Sequence, residues 1–146
     1  MYWISENIFS ALKGSNIIIQ SLDDSEKEKV WDRINLRYID SKKKGIFLWE
    51  KLKDYVMMSD ELAWSYLKNF IGKNECIIFF DPRDDKDMFW VSSGSDLDYI
   101  ISETYEFEFY ITDENCSYLL AFSHHDILYG CGVAKKWVKE LKGNMY

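Results

Sequence analysis

The segment Glu106-Phe107-Glu108-Phe109-Tyr110-Ile111-Thr112 alternates so strictly that only a strand satisfies its pattern. Successive side chains of a strand point to opposite faces. Phe107, Phe109 and Ile111 therefore share one face, and Glu106, Glu108, Tyr110 and Thr112 share the other. The first set belongs against a core; the second reads as a wet face. Asp113-Glu114-Asn115 supplies a turn, after which Tyr118-Leu119-Leu120-Ala121-Phe122 is placed to pair back as an antiparallel neighbour. A chain with this unit must build a sheet, and the remaining segments have to cover it.

Upstream of this unit, Cys76-Ile77-Ile78-Phe79-Phe80 is a continuous apolar run, suited to a strand buried on both faces. The turn Asp81-Pro82-Arg83-Asp84-Asp85-Lys86-Asp87 leads to a partner strand, Met88-Phe89-Trp90-Val91. Ser95 is placed to cap a helix carrying Leu97, Ile100 and Ile101, with Asp96 and Asp98 near its positive end. Gly130-Cys131-Gly132 reads as a bend before a short amphipathic helix from Val133 to Leu141.

The first half has a helical period. Ser5 is placed to cap a helix with Ile8, Phe9 and Leu12 on one face, stopped by Gly14, and Ser21 with Asp24 opens a second through about Leu36. Phe47, Leu48, Leu52, Tyr55 and Val56 recur at helical spacing, and Ser59 opens a fourth helix that ends at Gly72. Ile17-Ile18-Ile19 fits either an edge strand or a buried connector. The expectation is one α+β domain over residues 1–146, mainly helical over 1–73 and ββαββα over 74–146. Its antiparallel sheet would have about four strands, with helices packed on one face.

Charge narrows the function. The 146 residues carry 25 acidic and 18 basic side chains, a net of −7, and an apolar fraction of 47% excludes a disordered chain. Residues 1–73 are nearly neutral at +1, whereas the segment from Glu75 to Asp126 carries −11. The longest basic run is Lys42-Lys43-Lys44, which argues against a nucleic-acid binder. The acidic segment is either a solubilising face or a surface that steers a basic partner. No run approaches the ~20 apolar residues of a membrane span, and the N-terminus lacks the pattern of a secretory signal. Cys76, Cys116 and Cys131 form no CxxC pair, and their odd number suits a reducing interior. The expected location is the cytoplasm.

Ser123-His124-His125-Asp126 contains both histidines of the chain. If extended, it points His124 and Asp126 one way and His125 the other. Three roles stay open: fixing a strand end, contacting a partner, or catalysis and metal binding. No nucleophile elbow, HExxH or second ligand group accompanies it, so no cofactor or metal is implied. Glu106 and Glu108 lie about 7 Å apart by strand rise, a spacing compatible with paired carboxylates. Asp84, Asp85 and Asp87 lack the order of a calcium loop. As turn and strand-face positions, Asp84, Asp85, Asp87, Glu106 and Glu108, with Tyr110 beside them, are the expected partner-binding surface.

The stretch from Glu106 to Asp113, followed by Ser117 to Asp126 with its terminal His-His-Asp, resembles a pattern in small bacterial proteins of polymorphic toxin loci. It is similar to immunity proteins of contact-dependent growth inhibition, and more loosely to the SUKH-type immunity group with its mixed α+β domain. The resemblance spans about residues 75–132. It implies a cytoplasmic protein that binds and neutralises a cognate toxin domain, often a basic nuclease. It assigns no contact residue, and His124, His125 and Asp126 transfer as a motif without a role. The alternatives are a small hydrolase or metal-dependent enzyme centred on those three residues, and a module that recognises a basic peptide.

Overall fold

The computed structural model of the protein describes residues 3–104 and 107–145. Among the described residues seven strands form one antiparallel sheet: β1 (Gln20–Ser21), β2 (Tyr55–Ser59), β3 (Cys76–Phe79), β4 (Met88–Val91), β5 (Phe109–Thr112), β6 (Tyr118–Phe122) and β7 (Ile127–Gly132). Their spatial order is β1-β4-β3-β5-β6-β7-β2. The helices are α1 (Trp3–Leu12), α2 (Asp24–Tyr38), α3 (Leu67–Ile71), α4 (Gly94–Ser102) and α5 (Ala134–Met145), with 3₁₀ turns at Leu48–Lys51 and Ala63–Tyr66.

Period-two alternation divides the core in two. Ile78, Phe89, Phe109, Ile111, Leu120 and Leu128 face α1, α3, α4 and α5. Ile77, Phe79, Tyr110, Leu119 and Tyr129 face α2 and the connector around Leu48 and Leu52. This corrects the expected architecture on three counts. The sheet has seven strands rather than about four, helices cover both its faces, and they are not gathered in the first half.

Each difference has a local cause. The apolar positions from Phe47 to Val56 are shared between a 3₁₀ turn and strand β2, which pairs with β7 at Met57–Tyr129. Their helical spacing therefore arises across two elements. β7 carries Gly130, where a Cβ would lie 2.5 Å from Val138 Cγ2 and 3.0 Å from Ala134 O, so its absence lets α5 sit on the strand. Gly132 has φ +62° and ends the strand. The sequence "bend" is thus the end of a strand.

The caps move too. Asp23 caps α2 through Glu26 N, with Glu26 returning the bond, and Ser93 rather than Ser95 caps α4. Ser5 is not a cap. It is buried inside the first turn of α1, where its N–H and Oγ lie 2.9 and 2.6 Å from Asp85 Oδ2. The same hydroxyl lies 2.8 Å from Asp87 Oδ2. Asp85 is fully buried and supplies negative charge to the helix N-terminus from eighty residues away.

Candidate functional site

Strand register collects four connections at one end of the sheet. β3 leaves Phe79 into the Asp81–Asp87 turn, and β5 enters at Phe109 just after Glu108. β6 leaves Phe122 into Ser123–Asp126, and Ser59, opposite Ile127, leads to Asp60 and Glu61. Four aspartates of the first turn, Glu108, Asp126, Asp60 and Glu61 meet there, against the cationic Arg83 and Lys86 and both histidines. A charge bias spread over the sequence becomes a bias of one end of the molecule.

Ser123-His124-His125-Asp126 is a turn, and the extended alternative is corrected. Asp126 N donates to Ser123 O at 3.0 Å, Ser123 N donates to Ile127 O at 3.0 Å, and Asp126 has φ 60°, where Asp is tolerated. The two imidazoles therefore lie side by side, with centroids 3.9 Å apart. The acid that orients His124 is Glu108 rather than Asp126.

Glu108 Oε2 accepts from the Trp49 indole N–H at 2.7 Å and from His124 N at 2.9 Å, and lies 2.6 Å from His124 Nδ1. As a carboxylate it accepts, so Nδ1 donates and Nε2 is left as the acceptor of a neutral ring. Phe47 stacks on Trp49 with centroids 5.6 Å apart and reaches His124 at 5.0 Å, while Trp49 lies 5.9 Å from Tyr129. This aromatic surround keeps Glu108 buried although His124 stays exposed.

Arg83 completes the surround, its guanidinium 5.3 Å from the Phe47 centroid and its Nε 3.1 Å from Asp81 Oδ1. Burial would raise the Asp81 carboxyl, but bonds from Arg83 and Leu48 N hold it below the usual carboxylate range. Asp84 goes the other way: burial, with Asp81 and Glu108 near, raises its carboxyl. Burial and the carboxylates Glu108 and Asp81 also push the Tyr110 phenol up.

Several expected positions fall elsewhere. Asp85, Glu108 and Tyr110 are buried and present no surface to a partner. Asp87 is half-buried on Ser5, and Asp84 is half-buried in the same turn. Glu106 lies outside the described residues. Cys76 and Cys131 are buried thiols pushed up to about 12 by burial, and Cys116 is buried and raised. Among the described residues no group of three or more His, Cys, Asp or Glu is arranged to hold a metal, and no helix is long and apolar enough to cross a membrane.

Beside His124 opens a cleft of about 380 Å³ that sequence reasoning missed. Trp64, Phe107, Phe109 and Phe122 line it, with Glu61 and Asp126 among its polar residues. Asp60 N donates to Asp126 O at 3.0 Å, fixing the Glu61 segment to the histidine turn. Trp49, Phe47 and Arg83 were missed as well. They lie tens of residues from His124 in sequence, and nothing local announces their contact.

A family model described as a family of unknown function, DUF6756, matches residues 5–142. The chain belongs to this family. Neither a curated protein nor a solved structure matches it. The span matched to DUF6756 takes in the Ser5–Asp85 contact, the Glu108–His124 pair and the cleft.

Proposed function

We propose that this protein is an immunity protein: it acts in the cytoplasm by binding a basic, nuclease-type toxin domain and blocking it. The supporting observation is the acid-rich end of the sheet, where burial first, and then the neighbouring carboxylates Asp81 and Glu108, raise Asp84. Crowding of like charges costs stability unless a cation answers it, and a basic partner supplies that cation. The half-buried rings of Phe47, Trp49 and Trp64 beside these acids suit the centre of an interface. The test is co-expression with the toxin domain encoded beside its gene. Restored growth, together with a stoichiometric complex that weakens as salt rises, supports the reading; absence of both rejects it.

One observation favours a second reading. Glu108 holds His124 at 2.6 Å in the way a carboxylate orients a general base, as a small hydrolase centred on His124, His125 and Asp126 would require. Turnover of ester or phosphodiester substrates that disappears in His124→Ala but persists in His125→Ala would establish it.

A further inference from the structure

We infer that the cleft beside His124 seats an arginine side chain of the basic partner. This rests on the binding reading above and gives it a site and a chemistry. Three independent features of the cleft favour a cation, and one favours a planar cation.

The first is fixed charge. Glu61 and Asp126 belong to separate segments, tied together by the Asp60–Asp126 backbone bond, and both side chains are exposed. The second is the end of α4. Its last turn lines the cleft through Ile101 and Ser102, and the helix dipole places partial negative charge at this end, although Thr104 Oγ1 already donates to Ile100 O at 2.9 Å. The third is His124, whose Nδ1 is committed to Glu108, so that in the neutral ring Nε2 is an acceptor.

The aromatic lining selects among cations. Trp64 and Phe107 are half-buried, while Phe109 and Phe122 are core residues that also border the cleft. Aromatic faces attract cations, and a guanidinium stacks on them while donating in its own plane. A lysine ammonium is a compact, strongly hydrated charge and gains less from such a wall. About 380 Å³ lies at the lower end of the range of roughly 300–1,000 Å³ for ligand sites. That is room for one long side chain and part of the loop that bears it.

The experiment needs no toxin, so it stands apart from the rescue assay. Arginine amide, lysine amide and citrulline amide are titrated into the labelled protein, following backbone and indole N–H resonances. Citrulline keeps the shape of arginine and lacks its charge. Arginine amide should shift Trp64, His124 and Asp126 saturably, with at least tenfold weaker binding by citrulline amide. The variant Glu61→Gln/Asp126→Asn should weaken arginine amide at least tenfold, whereas Glu114→Gln leaves it unchanged. Asn accepts the positive φ of Asp126, so the turn is preserved. No saturable shift, or equal binding by citrulline amide, overturns the inference, and equal binding by lysine amide overturns the assignment to guanidinium. Growth rescue without arginine binding would leave the immunity reading standing and remove the cleft from it.

Discussion

At the scale of single residues, Glu108 shows how burial reverses an assignment made from alternation. The strand β5 begins only at Phe109, one residue after it, and the side it shares with Tyr110 is packed core, with Trp49 rather than water against its carboxylate. As a surface residue it would tolerate Glu108→Gln with a change of about 0.5 kcal/mol or less. As the acceptor of three N–H groups it should not. Glu108→Ala should cost roughly 3 kcal/mol by leaving buried donors unpaired, comparable with the roughly 3–5 kcal/mol expected for Phe109→Ala. Denaturant melts decide between the two readings. The neighbouring aspartates should respond to pH with opposite signs. Asp81 is held below the normal range, so its contribution is present at neutral pH and is lost as pH falls through its folded value. Asp81→Asn should therefore destabilise at pH 7, by roughly 1–3 kcal/mol, and the gap should close below about pH 4. Asp84 is raised, so its ionisation opposes folding once pH passes its folded value. Asp84→Asn should raise the melting temperature at pH 7 and leave it unchanged near pH 3. Melting curves of the two variants across pH 3–7 check both signs.

At the scale of elements, legibility followed the range of the interactions that decide each one. The hairpin of β5 and β6 was readable because its two strands and turn are consecutive, and the pairing Tyr110–Ala121 follows from them. β3 was readable because a run buried on both faces is apolar throughout. β2 and β7 were not, because each is explained by the other and by α5, and they lie seventy residues apart. Gly130 would lower strand propensity in isolation, yet the strand needs it for Val138 to approach. The site divides in the same way. His124 and His125 were visible as the only histidines, but the turn that sets them side by side and the partner that orients His124 are tertiary. Gly130→Ala tests this account of β7. The new methyl meets backbone of α5 as well as Val138, so the variant should lose roughly 1–3 kcal/mol. Gly143→Ala, within α5 and with nothing inside 4 Å, should be neutral or mildly stabilising. Thermal melts of the pair separate packing from glycine loss as such.

At the scale of the whole molecule, the question is whether charge acts as a sum or as a pattern. The net of −7 alone would slow or speed the approach of a basic partner according to total charge, wherever the acids lie. The fold makes a stronger claim. Strand direction sends Glu61 and Asp126 to the acid-rich end, and Glu75 and Glu114 to the opposite end. All four are exposed, and reversing either pair to Lys changes the net charge equally. The two double variants therefore separate sum from pattern. If the acid-rich end meets the toxin, Glu61→Lys/Asp126→Lys should slow association at low salt by tenfold or more and flatten its salt dependence. At 0.15 M the Debye length is about 8 Å, so charges at the far end of the sheet are largely screened from the encounter. Glu75→Lys/Glu114→Lys should then match the parent protein at that ionic strength. Dissociation should respond as well, but only in the first variant, because groups desolvated at an interface centre govern release. Stopped-flow association with the cognate toxin domain, at low salt and at 0.15 M, reads all of these. Equal effects from the two variants would mean that the protein's charge acts as a sum, and would remove the acid-rich end from the interface.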